Sequence, residues 1–169
     1  MTETIVAWFN ETLSGVLPAE WIVLIVSMVP VLELRGGMIL ASLYRFSLVK
    51  AFGLCILGNI LPVPLILMFV TPLFTWLKKR KLFRGIVERL EAKSMGKSQR
   101  IQEYEFWGLL IFVGIPLPGT GAWTGSLIAS LLDIDKKKAF LAVACGVLMG
   151  SLIMALLSYG IPWLVGLLL

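Results

Sequence analysis

An acid and a base stand two positions apart inside an apolar run, the costliest setting in the chain for groups that can do chemistry. Residues 27–41 read SMVPVLELRGGMILA and hold Glu33 and Arg35, with Pro30 before them and Gly36 and Gly37 after. Charged side chains at membrane depth normally face a protein interior or a water-filled cavity. Glu33 is therefore a candidate acid for proton exchange during transport. Arg35 offers a planar fork of donors that fits a phosphate or carboxylate. Each also has a structural reading: an ion pair between the two, or an Arg35 clamp on carbonyls of another segment. Residues at i and i+2 point apart on a helix, so a local pair requires non-helical backbone. Pro30 disfavours helix just before it, and the two glycines let backbone or ligand approach closely. The stretch is expected to break over residues 30–37 and to be re-entrant, its tip forming half of a transport site.

Residues 115–125, IPLPGTGAWTG, are the candidate second half. Pro118, Gly119, Thr120, Gly121, Trp123 and Thr124 combine hydroxyls with exposed backbone amides, and such amides at a half-helix start suit an anion. Trp123 reads as a packing anchor before a path-lining group. Gly125 and the small pairs Ala41, Ser42 and Ala129, Ser130 read as close helix packing. Asn59, near Pro62, is expected to satisfy a carbonyl freed by proline. The chain has no histidine, which removes imidazole bases, imidazole metal ligands and the usual near-neutral switch. With no clustered carboxylates either, no nucleophile–base set is visible, and no enzyme, metal or cofactor is expected. Cys55 and Cys145 read as small buried hydrophobes.

The elements that must position these residues follow from composition. Of 169 residues, 59% are hydrophobic and only 15% charged, too little polar surface for a soluble domain. Recurrent long apolar runs predict an all-α, multi-pass protein of the cell (plasma or inner) membrane. The start, MTETIVAWFNE, has no positive region, so no cleavable signal is expected. Residues 5–17 predict an amphipathic interfacial helix, about 20 Å long and short of a bilayer core of about 30 Å. Residues 21–44 form two arms of about 15 Å each, and 45–50 a polar turn. Residues 51–76 can cross, with kinks predicted from Pro62, Pro64 and Pro72 near the middle and the end. Residues 77–105 carry the basic excess that marks the cytoplasmic side and attracts anionic lipid. The net charge of +5 is concentrated there, so it is a topology signal and not a nucleic-acid footprint. Residues 106–132 are the second broken segment and 133–138 a polar turn. Residues 139–159 predict a crossing helix, broken by Gly160 and Pro162. Trp8, Trp21, Trp76, Trp107 and Trp163 read as interfacial anchors.

Shifted by 88 positions, the halves align without a gap: Pro30 on Pro118, Gly37 on Gly125, Lys50 on Lys138, Gly58 on Gly146. Proline, glycine and lysine do not match merely through apolar composition, so the chain reads as an internal repeat. One membrane domain over 1–169 contains repeat 1 at 21–76, the basic loop at 77–105 and repeat 2 at 106–169. If the broken segments span, the halves are parallel and the lysines at 136–138 lie outside. If they are re-entrant, each half crosses once, the halves are inverted, and those lysines join the basic loop in the cytoplasm. The charges favour inverted repeats, each a re-entrant helical hairpin plus a transmembrane helix, although Arg45 and Lys50 then lie outside.

ELRGG at residues 33–37 and GIPLPGTGAWTG at residues 114–125 resemble the small multidrug export protein family over roughly residues 20–160. That family is similar to the DedA-type (VTT-like) membrane proteins, and the resemblance implies two re-entrant segments facing each other and a link to lipid-carrier and phospholipid translocation, often with proton-motive-force phenotypes. This chain is shorter than the DedA pattern and has no arginine in its second re-entrant segment. The reading is a secondary transporter, proton-coupled through Glu33, with Arg35, Gly36, Gly37 and the 118–125 loop holding a polar or anionic amphiphile or lipid headgroup. A cationic drug/proton antiporter using Glu33 and a non-transporting, lipid-organising scaffold are the alternatives. Expected partners are membrane lipid, a small-molecule or lipid substrate, protons and a second copy of the chain, with no nucleic acid.

Overall fold

Apolar chain away from water must satisfy its backbone polar groups within itself, and a helix does so inside one segment. A computed structural model describes residues 11–12, 15–78, 105–117 and 119–160, and those residues hold helices and no strand. Most of the predicted amphipathic helix at 5–17, the basic stretch at 79–104, Pro118, and residues 161–169 with Pro162 and Trp163 lie outside the described residues.

The first broken segment is α1 (Ala19–Met28) followed by α2 (Glu33–Leu43). Val29 takes extended backbone (ψ 129°), as the residue before Pro30 should. The break is shorter than expected and lies further upstream: only residues 29–32 are non-helical, and Arg35, Gly36 and Gly37 belong to α2. Both glycines lie inside the helix and not in the break, and Gly37 serves close packing. A Cβ on Gly37 would overlap the Ser27 hydroxyl of α1 and stand 3.0 Å from Cys55 Sγ. Val31 (φ 77°) and Glu33 (φ 46°) occupy the left-handed region, a strain of about 1–3 kcal/mol each for residues with a side chain.

Next come α3 (Leu48–Ile60), capped by the Ser47 hydroxyl, and α4 (Val63–Lys78). They meet at Leu61 and Pro62, where the mid-segment kink was expected. Hydrogen bonds from Leu61 N–H to Leu57 and from Ile66 N–H to Pro62 carry the ladder through the joint, giving an apolar run at Leu48–Val70 of 23 residues. Pro72 lies inside α4, which continues through it. The second broken segment is α5 (Glu105–Gly114) and α6 (Ala122–Leu131), followed by α7 (Lys136–Ala155) and a π-helical turn (Leu156–Gly160). The expected polar turn at 133–138 is half helix. Asp135 caps α7 by accepting from Lys137 and Lys138 N–H, so the three lysines are its first turn. Lys136–Gly160, 25 residues, is the second helical run long and apolar enough to cross a bilayer. At 1.5 Å per residue α1, α5 and α6, of 10 residues each, reach only about 15 Å. Trp21, Phe69, Trp107 and Leu152 lie mostly exposed on the exterior, an apolar surface that suits lipid.

The halves pack alike. In the first, Ser27 of α1 sits between Gly37 of α2 and Gly58 of α3; in the second, Val113 of α5 sits between Gly125 of α6 and Gly146 of α7. Each half also ties its first arm to its long helix by an ion pair, Glu20 to Lys50 at 2.6 Å and Glu105 to Lys138 at 2.5 Å. The Lys50 ammonium, bonded to Glu20, holds that carboxyl below its ordinary value. The glycine pairs and the lysines are 88 positions apart, but Ser27 and Val113 are 86 apart. The ungapped alignment is therefore corrected in the first arms, because more chain separates α5 (ending at Gly114) from α6 (starting at Ala122) than separates α1 (ending at Met28) from α2 (starting at Glu33). Cys55 is buried, as expected, whereas Cys145 is exposed.

Candidate functional site

The two breaks meet, and four hydrogen bonds join them. The Glu33 carboxylate accepts from Ala122 N–H and Trp123 N–H, both at 3.2 Å. Arg35 donates from a terminal nitrogen to the Thr120 carbonyl at 2.9 Å. The Trp123 indole N–H donates to the Met28 carbonyl at 2.9 Å. Every partner lies at a helix end or in a break, where backbone groups lack an intrahelical mate.

Helix α6 explains why an acid is needed. Its N-cap residue is Gly121, which has no side chain to cap with. Glu33 supplies the missing cap from the other half of the chain, accepting from the first two N–H groups. An anion there is favoured by the helix dipole and by charge-assisted bonding. Glu33 is only 4% exposed, so these bonds replace its lost water. A Cβ at Gly121 would fall on the carboxylate, and its φ of 130° already excludes most side chains. The glycine is a slot for the acid.

Arg35 completes the same surface. It turns to Thr120 O and not to Glu33, so the structural reading seen here is the carbonyl clamp and not the ion pair. Thr120 is itself held. Its hydroxyl lies 2.7 Å from the Ile115 carbonyl and 2.8 Å from that of Leu117, and accepts from Leu117 N–H at 3.1 Å. These bonds fix Thr120, whose carbonyl meets Arg35.

Of the sequence candidates, Glu33, Arg35, Thr120, Gly121 and Trp123 come together here. Gly119 (φ 82°) turns the loop. Thr124, half-buried on α6, takes no part in the four bonds. Gly36 and Gly37 are buried within α2, Gly37 packed against Ser27. The backbone amides expected to face an anion are real, but Glu33 occupies them. Asn59 is 2% exposed, and its Oδ1, which can only accept, has no hydrogen-bond partner among the described residues. Sequence reasoning missed the Ala122 amide and the Met28 carbonyl, whose side chains say nothing of their backbone. One signal was present for the slot: Gly121 stands 88 positions after Glu33, the spacing at which the glycines and lysines recur.

Helical throughout its described residues, with two apolar runs long enough to cross a bilayer and two helix breaks bonded to each other, the chain has the makings of a membrane protein, and its family match adds an export role. More narrowly, residues 33–153 match the family described as "putative small multi-drug export protein", and the chain belongs to it. The match opens at Glu33 and ends within α7, so it takes in the whole lock apart from Met28. No curated protein and no solved structure matches the chain.

Proposed function

We propose that the chain is a proton-coupled secondary transporter of a polar or anionic amphiphile such as a lipid headgroup, in which Glu33 occupies the substrate's own donors. The observation that carries this reading is the carboxylate lodged on Ala122 and Trp123 N–H at 3.2 Å with the Arg35 fork beside it. These are donors any carboxylate or phosphate would use. Protonating Glu33 removes the anion and weakens its hold on the α6 N-terminus, since a neutral acceptor bonds about half as strongly. The vacated amides and Arg35 then take an anionic headgroup. Loss of the proton returns Glu33 to its slot and expels the headgroup. Short arms of about 15 Å support breaks that dip in from opposite faces between two crossing helices, an arrangement in which half-helix ends meet near the midplane.

The test is flux in proteoliposomes. Glu33→Gln keeps the shape, removes the titration, and should abolish the pH dependence of transport while leaving the folded protein intact. Unchanged flux and unchanged pH dependence would remove Glu33 from the mechanism. A second reading, cationic drug/proton antiport, draws on Glu33 being the one buried acid among the described residues. Drug-stimulated proton release that survives Arg35→Ala favours antiport over the anion site.

A further inference from the structure

Against the lock lies a small cavity of about 20 Å³ lined in part by Glu33, Arg35, Asn59, Thr120, Gly121 and Gly150. Asn59 comes from α3, outside both breaks, and is the cavity's buried polar side chain that the lock leaves unexplained. Its Oδ1 has no hydrogen-bond partner among the described residues. A buried acceptor left bare costs about 1–3 kcal/mol, and native interiors fill such vacancies with protein groups or ordered water. A water needs about 10–15 Å³ and at least two polar partners. The cavity has that room and, in Asn59 and Glu33, those partners. It is too small for a headgroup. Its two charged members, Glu33 and Arg35, are of opposite sign, so it selects a neutral guest over an ion.

We propose that one water molecule occupies this cavity, donating one O–H to Asn59 Oδ1 and the other to the Glu33 carboxylate, and that it delivers the proton to Glu33. A carboxylate oxygen that accepts one backbone N–H keeps further lone pairs for the water. In the transfer, the water O–H facing the carboxylate breaks as an O–H forms on Glu33. The water regains a proton from bulk hydronium and ends unchanged. Asn59 is a positioning residue: it orients the water and does not touch the substrate. The proton role rests on the transport reading above; the occupancy of the cavity does not.

The two are tested separately. A high-resolution crystal structure of the wild-type chain grown from lipid should show one water in hydrogen-bond contact with both Asn59 Oδ1 and Glu33. An empty cavity, or Asn59 Oδ1 bonded to a protein group, overturns the site. For the role, Asn59→Leu removes the acceptor at similar volume. Gly150→Ala adds a methyl to the cavity wall while leaving Asn59 and Glu33 in place; that methyl stands 3.2 Å from Gly114 O and 3.5 Å from Leu34 Cδ2, so α5 and α7 must give by a few tenths of an ångström, far less than at Gly58 or Gly146. Each should lower maximal proteoliposome flux roughly tenfold or more with the substrate concentration for half-maximal flux unchanged. Wild-type flux in a folded Asn59→Leu or Gly150→Ala protein overturns the proton role. Wild-type flux in Glu33→Gln with the water still present defeats the transport reading and leaves the hydration site standing.

Discussion

Glu33 is held by what the chain lacks at Gly121. The N-cap of α6 has no side-chain oxygen, and the carboxylate fits only because no Cβ is there. Acid and glycine are one device, so either change should break it. Gly121→Ala combines a left-handed φ of 130° with a methyl in the carboxylate's place, and we expect a loss of at least about 2 kcal/mol. Thermal unfolding in detergent micelles measures it, and a midpoint equal to wild type would show that Glu33 does not need the slot. The same residue pair argues against treating Arg35 as the counter-ion of Glu33. Both face one loop, one as acceptor of its amides and the other as donor to its carbonyl, so they act on the same neighbour from opposite electrical sides.

Helices hold these residues in place through glycine contacts that recur in both halves. Gly58 brings α3 against α1, where a Cβ would stand 2.6 Å from the Leu24 carbonyl oxygen. Gly146 brings α7 against α5, where a Cβ would stand 2.8 Å from the Leu110 oxygen. A backbone oxygen cannot swing aside as a side chain can, so the helices must part. Gly53, on the same helix as Gly58, has open space around it. Gly58→Ala should therefore destabilise by about 1–3 kcal/mol, while Gly53→Ala should stabilise by up to about 1 kcal/mol through helix propensity. Unfolding midpoints of the two variants moving in the same direction would refute this account of the packing. The π-helical turn after α7 belongs at this scale as well. It places the Ser158 carbonyl 2.7 Å from the Ser42 hydroxyl of α2, tying the end of the second half to the first.

For the whole molecule, the question is how the two similar halves sit across the bilayer. The turn after α2 and the turn after α6 are equivalent, Arg45 and Asp133 both taking left-handed backbone (φ 54°). With one crossing per half, these turns lie on opposite faces. Starting from a Cys145→Ser background, since Cys145 is exposed and Cys55 is buried, Arg45→Cys and Asp135→Cys should react with a membrane-impermeant thiol reagent from opposite sides of a vesicle. Labelling of both from one side would mean parallel halves and would remove the inverted arrangement.

The sequence by itself determined that the chain is helical and suited to a membrane, that two breaks interrupt it, and that prolines, glycines and lysines recur 88 positions apart. Those features are local: apolar run length, proline before a break, and glycine and lysine recurring at a fixed spacing. It also marked Glu33 and Arg35, because a charge in such a run is costly wherever the chain goes. The tertiary structure alone decided what those charges touch. Glu33 meets Ala122 and Trp123, 89 and 90 positions away, through backbone amides that carry no sequence identity. The glycines after Arg35 resemble a break in sequence but pack inside a helix, because a missing side chain loosens backbone and admits a neighbour with equal ease. Only the neighbour, here Ser27 on another helix, distinguishes the two. The vacancy beside Asn59 is likewise a property of several segments at once, and no stretch of sequence contains it.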